Sequence, residues 1–217
     1  MSSLSDLLKP IPGPNPSGED TRYTGLYDRI KETRREEPDL PQGVWQHERK
    51  TADWRRVAHL CEDALIHKTK DIQVASWLTE ALLHRDGVPG LTEGLKLLQG
   101  LLDQFWPTVF PRAEEDELEF RAGPLEWVGW RLDVASSILQ TPGIGSRHYR
   151  DFMDELDSSQ AALGQLQASC EAHFGDVSPR FDGLRKSLET LRLTLRPLTR
   201  ETTKELDFED GPSTSGA

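Results

Sequence analysis

Residues 71–105 read DIQVASWLTEALLHRDGVPGLTEGLKLLQGLLDQF, and this stretch decides the fold class. Apolar side chains recur in it every three or four residues, which places them on one face of a helix. Asp86 and Gly87 interrupt the pattern, because aspartate and glycine favour turns and helix ends. We therefore predict two helices joined by a short turn, which makes them antiparallel neighbours. The apolar positions are Val74, Trp77, Leu78, Ala81 and Leu82 in the first helix and Leu91, Leu95, Leu98, Leu102 and Phe105 in the second.

The same three-and-four spacing continues on both sides of this pair. No segment alternates apolar and polar residues between hairpin turns, as a half-buried strand would. Residues 107–124, which hold three prolines and an acidic run, are expected to connect two helices. The sequence therefore predicts an all-α protein, a multi-helix antiparallel bundle with a long C-terminal helical hairpin. The further helical stretches are 21–36, 54–65, 125–139, 149–174 and 181–198.

The last two predicted helices are joined by only five residues, from Gly175 to Pro179. Ser178 is a suitable N-cap, and Pro179 suits the first turn of the second helix. That helix carries a leucine stripe that could pack on residues 149–174 or form a coiled-coil seam with another copy. We favour packing within the chain, because a short connector closes the hairpin at low entropic cost. The stripe consists of Phe181, Leu184, Leu188, Leu191, Leu195 and Leu198.

Composition divides the chain into four segments. Residues 1–20 are a proline-rich lead-in, since proline fixes the backbone and removes hydrogen-bond donors. Residues 21–140 are predicted to form the main helical domain, and residues 146–200 the hairpin, which we expect to pack on that domain. Residues 201–217 are acidic and then rich in small residues, so they are predicted to be a disordered linker or tail.

Charge and cysteine content limit the classes of partner and compartment. The 217 residues include 37 acidic and 26 basic side chains, a net charge of −11, which argues against nucleic-acid binding. The N-terminus lacks a basic start followed by an apolar run, and no stretch reaches 18 uncharged apolar residues. Both cysteines, Cys61 and Cys170, lie within apolar stripes. We therefore expect a cytoplasmic protein with reduced thiols, no membrane insertion and no nucleic-acid partner.

Residues that could carry catalysis or bind a metal do not form a recognised pattern. The six histidines include no pair spaced four apart with a glutamate after the first, and His59 and His67 are two helical turns apart. Residues 143–146 lack the spacing of a nucleophile elbow. The acidic run at 114–119 lacks the alternating ligands of a calcium loop, so a solvated surface is the favoured interpretation. The sequence thus predicts no enzyme, no catalytic residue, no cofactor and no metal site.

Six tryptophans are many for a chain of this length. Trp54 and Trp77 fall on apolar stripes and are predicted to be core residues. Trp127 and Trp130 lie beside the stripe of the helix predicted from residue 125, where both core packing and an exposed interface anchor fit the pattern. The candidate interaction surface predicted from the sequence consists of Trp127, Trp130, Leu188, Leu191 and Leu195.

Sequence blocks that run in order over residues 7–132 resemble the ImpA N-terminal domain. That domain begins the TssA proteins of bacterial type VI secretion systems. The first block is LLKPI at 7–11 followed by NPSGEDTRY at 15–23. The later blocks are DWRRV at 53–57, KDIQVASWLTEALL at 70–83, GLKLL at 94–98 with FWPTVFPR at 105–112, and EFRAGPLEW at 119–127.

The resemblance implies an assembly protein with no known catalytic role, since TssA proteins participate in baseplate priming and in polymerisation of the tail tube and sheath. Its implied partners are therefore baseplate, tube or sheath proteins of a type VI secretion system. Ring formation in the family uses a variable C-terminal domain that we do not recognise here, so we expect a monomer or dimer. The alternative is a standalone cytosolic helical adaptor, or chaperone-like regulator, that sequesters a partner helix.

The family motifs are expected to be structural rather than partner-binding. Arg22 and Tyr23 are predicted to tie the lead-in to the core, and Asp53 is predicted to cap the helix that follows it. The residues with an expected structural role are Asn15, Pro16, Gly18, Glu19, Asp20, Arg22, Tyr23, Asp53 and Trp54.

Overall fold

The computed structural model describes residues 2–37, 50–112, 117–132 and 146–193. Within these ranges every regular element is a helix, and strand-like pairing is limited to two isolated β-bridges. The all-α prediction is confirmed. The helices are α1 (Leu4–Leu7), α2 (Leu26–Thr33), α3 (Trp54–His67), α4 (Ile72–Asp86), α5 (Val88–Phe105), α6 (Glu119–Arg131), α7 (Ser146–Phe174) and α8 (182–193), with a 3₁₀ turn at Gly175–Val177.

Helix α4 lies at the centre of the bundle and packs against α3, α5 and α6. Asp71 caps its start, because one carboxylate oxygen accepts hydrogen bonds from the backbone N–H groups of Gln73 at 2.8 Å and Val74 at 3.2 Å. The buried hydroxyl groups of Ser76 and Thr79 donate to backbone carbonyls one turn earlier. The helix can therefore be buried on nearly all sides without leaving these polar atoms unsatisfied.

Helices α4 and α5 form the antiparallel pair that the sequence predicts, with Gly87 alone between them. Gly87 has a φ of +69°, a conformation that glycine adopts without strain. The two helices approach closely where Gly94 faces Thr79, since a Cβ atom at Gly94 would lie 2.6 Å from Thr79 Cγ2. A small residue at this crossing allows the two backbones to come near each other.

The C-terminal hairpin packs into the same core as the other helices. Helix α7 lies against α5, and α8 runs back along α7, where Arg192 forms an ion pair with Asp157 at 2.6 Å. Phe181, Leu184 and Leu188 of the leucine stripe are buried in the cluster that also holds the α4 and α5 side chains. These three residues pack within the chain. Leu195 and Leu198 lie outside the described residues.

Helix α6 begins at Glu119 and includes Pro124, so the expected connection over 107–124 is wrong at its C-terminal end. The reason is tertiary, because the buried Arg121 side chain holds the start of α6 against the preceding loop. Its guanidinium donates to the carbonyls of Trp106, Val109 and Pro111 at 2.8–3.1 Å. These bonds stabilise the first turn of α6 enough to accommodate a proline in the helix.

Two predicted helix starts are also wrong. Helix α2 begins at Leu26 rather than at residue 21, because Gly25 has a φ of +76°, outside the helical region. Helix α8 begins at 182 rather than after Ser178, whose backbone is extended. The Ser178 hydroxyl is buried and makes no hydrogen bond with the described part of the chain, so it does not act as a cap. Of the helix predicted over 125–139, residues 133–139 lie outside the described ranges.

Candidate protein-docking surface

The first family motif folds into a tight turn at residues 15–18. The Asn15 side chain donates to the Gly18 carbonyl at 2.7 Å and accepts from the Ser17 N–H at 3.2 Å. The Gly18 N–H donates in turn to the Asn15 carbonyl at 2.9 Å. The Pro16 carbonyl accepts from the N–H of Ile11, which is buried. The asparagine, proline and glycine of the motif therefore each have a local backbone role.

This turn is hydrogen-bonded to the segment between α3 and α4. The Ser17 carbonyl accepts from the Lys70 N–H at 2.8 Å, and the Glu19 N–H donates to the Lys68 carbonyl at 2.9 Å. Gly18 lies so close to this segment that an added Cβ atom would be 2.2 Å from the Lys68 oxygen. With a φ of +73°, residue 18 requires glycine for both conformation and space.

Asp20, Arg22 and Tyr23, at the end of the motif, contact one another rather than the core. Asp20 forms a two-pronged ion pair with Arg22, which lowers the pKa of the Asp20 carboxyl. The Arg22 guanidinium lies 5.7 Å from the centre of the Tyr23 ring, and that ring is 90% exposed. These contacts stay among residues 20–23. The prediction that Tyr23 ties the lead-in to the core is therefore wrong, and the Ser17–Glu19 backbone makes the connection instead.

Lys70 is a buried lysine that the sequence analysis did not single out. Its ammonium donates to the carbonyls of Leu7 at 2.7 Å and Leu65 at 2.5 Å, and it faces the Phe105 ring. It thereby links the ends of α1 and α3. Burial lowers the pKa of Lys70 to about 8. Its only sequence signal is its place directly before the cap residue Asp71, within a family block.

Asp71 is also buried, and it joins α2 to α4. The Tyr27 hydroxyl donates to the second carboxylate oxygen of Asp71 at 2.7 Å. The Tyr27 ring meets the Trp77 ring edge to face, with 4.8 Å between their centres. Burial raises the pKa of Asp71 to about 6 and raises that of Tyr27 strongly. This arrangement fixes the start of α4.

Trp127 is half-buried and belongs to an internal cluster rather than to an open surface. The Arg34 guanidinium lies 5.1 Å from its ring centre and 5.8 Å from that of Trp77. The same guanidinium pairs with the buried Glu80 carboxylate at 2.7 Å. Burial raises the pKa of Glu80, although Arg34 opposes that rise. The cluster connects α2, α4 and α6.

The second family block places its two named residues at the start of α3. Asp53 caps the helix by accepting from the Arg56 N–H at 3.0 Å, as predicted from its position. The Trp54 ring stacks on the imidazole of His84 at 4.0 Å, so it packs against α4 at the edge of the core.

Trp130 differs from Trp127, because 69% of its surface is exposed. It lines an open groove of about 640 Å³ between α6 and the connector that follows α7. Phe120, also on α6, is exposed as well, although it does not line the groove. The groove is lined by Glu119, Ala122, Glu126 and Trp130 from α6 and by Asp176, Val177, Ser178 and Arg180 from the connector.

A sequence model of the family described as "ImpA, N-terminal, type VI secretion system" matches residues 8–129, which is more than half of the chain. The chain belongs to the ImpA N-terminal family. The resemblance seen in the sequence blocks is thus confirmed. The matched region includes the 15–18 turn, the buried Lys70–Asp71 pair and most of the helix that carries Trp130.

Two TssA proteins of type VI secretion systems are similar to this ImpA N-terminal chain. It is 29% identical over 117 residues to the type VI secretion system component TssA1 of Pseudomonas aeruginosa, which covers 54% of this chain and 34% of that protein. The alignment therefore spans about a third of the relative. A solved N-terminal domain, including the conserved ImpA_N region, of the TssA component from Burkholderia cenocepacia is similar with a TM-score of 0.77 and 29% identity. That similarity covers 93% of this chain and 95% of the solved chain.

The leucines predicted for an interaction surface lie mostly inside the ImpA N-terminal fold. Leu188 is fully buried, so the structure removes it from the candidate surface. Leu191 is half-buried and packs against the core. Leu195 lies outside the described residues. Of the five predicted surface residues, Trp130 is therefore the one that the structure places at an open groove.

The described ranges lack two common features of catalytic sites, a metal-binding cluster and an activated thiol. They contain no cluster of three or more histidine, cysteine or acidic side chains that could hold a metal ion. Both thiols are buried, and burial raises the pKa of Cys170 to about 12 and that of Cys61 further, so neither is activated as a nucleophile. Among the described helices, none has both the length and the apolar character needed to cross a bilayer.

Proposed function

We propose that this chain is a non-catalytic assembly domain of a type VI secretion system, and that it docks baseplate, tail-tube or sheath components in the cytoplasm. The observation that carries the proposal is the similarity to a TssA N-terminal domain over 93% of the chain. The family match over residues 8–129 supports it independently. Because the alignment with TssA1 covers only a third of that protein, the whole protein's partners enter as part of this proposal.

The interior of the fold supports a structural role for the family motifs. Residues 15–19 bind the Lys68–Lys70 segment through the backbone, and Asp53 and Asp71 cap helices. The side chains of Asn15, Asp53 and Asp71 form their hydrogen bonds within the chain, which supports a structural rather than a partner-binding role for them. We propose that the motifs build a rigid frame, with the main domain and the hairpin at the predicted boundaries, and that recognition uses exposed residues elsewhere.

The burial of the leucine stripe bears on both oligomeric state and the alternative function. Phe181, Leu184 and Leu188 are enclosed in the core, so this described part of the stripe is not available as a seam to a second copy or as a groove for a partner helix. We propose that the chain is a monomer and that ring formation depends on a different domain. Light scattering should give the mass of one chain, and a stable dimer or larger species would contradict this part.

The docking role is tested with purified components of one type VI secretion system. The chain is immobilised, and the baseplate, tube and sheath proteins of the same bacterium are passed over it one at a time. Saturable binding of at least one component is expected. The matching protein from an unrelated contractile tail serves as the control. If no component of a complete set binds, the proposed function is wrong.

A further inference from the structure

We propose that the groove between α6 and the connector after α7 is the docking site, and that its occupant is a basic segment of a type VI component carrying a large apolar side chain. This inference rests on the proposed function and specifies the surface and the chemistry of the partner. It follows from three properties of the groove, namely its apolar centre, its acidic rim and its rigid walls.

The apolar centre of the groove is formed from both of its sides. Trp130 comes from α6, and Val177, which is 47% exposed, comes from the connector. Ala122 is buried and contributes to the floor. A tryptophan exposed to this degree leaves a large apolar surface in water, and tryptophan is among the residues that contribute most to protein interfaces. An apolar side chain of the partner would remove this surface from water.

The acidic rim selects the charge of the partner. Glu119 and Glu126 line the groove from α6, and Asp176 lines it from the connector. Among the described residues that line the groove, Arg180 is the one cation. All three carboxylates are exposed, and none forms an ion pair within the described part of the chain. Lysine or arginine beside the apolar anchor would complement them, whereas an acidic partner would be repelled.

The α6 wall of the groove has a regular sequence basis. Glu119, Ala122, Glu126 and Trp130 are spaced by three, four and four residues, so they share one face of the helix. That face alternates acid and apolar character along its length. It is turned toward the connector rather than toward the helical core, with the exception of the small Ala122.

The walls are held in place before any partner binds. The backbone of α6 at Gly129 lies directly against the connector and the start of α8. A Cβ atom at Gly129 would be 2.4 Å from the Arg180 oxygen, and one at Gly183 would be 2.9 Å from the Gly129 oxygen. The guanidinium of Arg121 secures the start of α6, and Ser76 donates to the Pro124 carbonyl at 3.1 Å. A groove that is already formed requires little ordering upon binding, which favours affinity.

The first test measures the affinity of groove variants for the component that the wild-type chain binds. Trp130→Ala should raise the Kd at least tenfold, and Val177→Lys should do the same by placing a cation at the apolar centre. Tyr23→Ala is the matched control, because Tyr23 is also an exposed aromatic residue but does not line the groove. All three positions are exposed, so thermal melts should match the wild type. Two groove variants guard against a folding defect in one of them.

The second test concerns charge. Glu126→Gln combined with Asp176→Asn should raise the Kd about fivefold at 50 mM salt and much less at 500 mM, since salt screens exposed charges. Asp151→Asn combined with Asp154→Asn, on the exposed side of α7, is the matched control. Overlapping 15-residue peptides of the same component then identify the occupant, and the strongest binders should be net positive with an aromatic or branched aliphatic residue.

The outcomes separate the two proposals. Binding that is unchanged in Trp130→Ala and Val177→Lys overturns the groove as docking site but leaves the proposed function intact. Acidic or wholly polar peptides as the strongest binders overturn the assignment of the occupant. A wild-type dimer that Trp130→Ala converts to a monomer shows that a second copy fills the groove, which also overturns it. Failure of the wild type to bind any component overturns the proposed function itself.

Discussion

The buried ammonium of Lys70 should make the wild type gain stability with pH, in the alkaline range, relative to a variant that lacks this group. Burial lowers its pKa from 10.5 to about 8, whereas the unfolded chain keeps the higher value. Below pH 8 both states carry the proton, so folding includes the cost of burying the charge. Between pH 8 and 10.5 the folded state has released the proton while the unfolded state still holds it. The contribution of Lys70 to the free energy of unfolding therefore increases with pH over this interval.

The size of the increase follows from the width of the interval. One pKa unit corresponds to about 1.4 kcal/mol, so a fall from 10.5 to about 8 is worth about 3 kcal/mol once both states are neutral. The neutral amine still has two hydrogens for the carbonyls of Leu7 and Leu65, so deprotonation need not break either hydrogen bond. An exposed ion pair contributes only about 0–1 kcal/mol, which makes the Lys70 effect distinguishable from surface titration.

Guanidinium unfolding followed by tryptophan fluorescence, in half-unit steps from pH 7 to 10.5, measures this dependence. Lys70→Met removes the titrating group and keeps an unbranched side chain. The buried thiols of Cys61 and Cys170 lower the stability of both proteins above about pH 9, because burial raises their pKa. The difference in unfolding free energy between the wild type and Lys70→Met cancels this shared contribution and should increase with pH. Lys186→Met, at an exposed position of α8, is the control and should follow the wild type. Equal slopes for the wild type and Lys70→Met would refute the reasoning.

Three further substitutions test the motif turn, the cap of α4 and the hairpin. Gly18→Ala should lower the free energy of unfolding by about 2 kcal/mol, because of its positive φ and the 2.2 Å approach to the Lys68 oxygen; an unchanged melting temperature would contradict this. Burial raises the pKa of Asp71 from 3.8 in the unfolded chain to about 6 in the folded protein. As the pH rises from 4 to 6, the unfolded carboxyl loses its proton before the folded one, so this group should lower the free energy of unfolding by about 3 kcal/mol. Denaturant titrations of Asp71→Asn should show a much smaller fall, to which the buried Glu80 still contributes because its pKa is also raised; a fall as large as that of the wild type would exclude Asp71 as the main source. Leu188→Ala should cost about 2–5 kcal/mol and the exposed Leu193→Ala about 0.5 or less; equal denaturation midpoints would show that the hairpin does not stabilise the core.

The central helices could be predicted because their local and tertiary preferences agree. The apolar spacing of α4 and α5 matches their burial, and Gly87 marks the turn between them in both sequence and structure. The long hairpin follows the same rule, since Leu184 and Leu188 recur at helical spacing and are fully buried. Where the pattern of apolar residues and the fold agree in this way, periodicity is sufficient.

Prediction failed where tertiary contacts override local preference. Pro124 indicates a helix boundary, yet α6 runs through it because Arg121 binds three carbonyls of the preceding loop. Lysine is ordinarily exposed, so its type gives no sign that Lys70 is enclosed by the ends of α1 and α3. Ser178 has the residue type and spacing of a cap, but its backbone is extended and its hydroxyl makes no hydrogen bond within the described residues. Arg121 and Lys70, in contrast to Ser178, bind backbone carbonyls of other elements, and the local sequence does not indicate those contacts.

The candidate site was predictable only in part. Trp127 and Trp130 are three residues apart on α6 and carry the same local signals, but Arg34 covers the first and leaves the second exposed. Which tryptophan is covered depends on α2, about a hundred residues earlier in the chain. The 119–122–126–130 spacing was readable in the sequence, whereas Asp176 and Val177 join it only through the fold of the hairpin.

Stability and docking should respond to different residues, and this separation tests the structural role proposed for the motif. Domains ordinarily have a free energy of unfolding of about 5–15 kcal/mol. If Gly18→Ala lowers that value by about 2 kcal/mol, the domain is still almost entirely folded at 25 °C. Its Kd for a bound component should therefore equal that of the wild type, although its melting temperature is lower. Trp130→Ala should show the reverse, a weaker Kd at an unchanged melting temperature. If Gly18→Ala weakened binding at full folding, the 15–23 motif would itself contact the partner, and the assignment of recognition to the α6 groove would have to be shared with it.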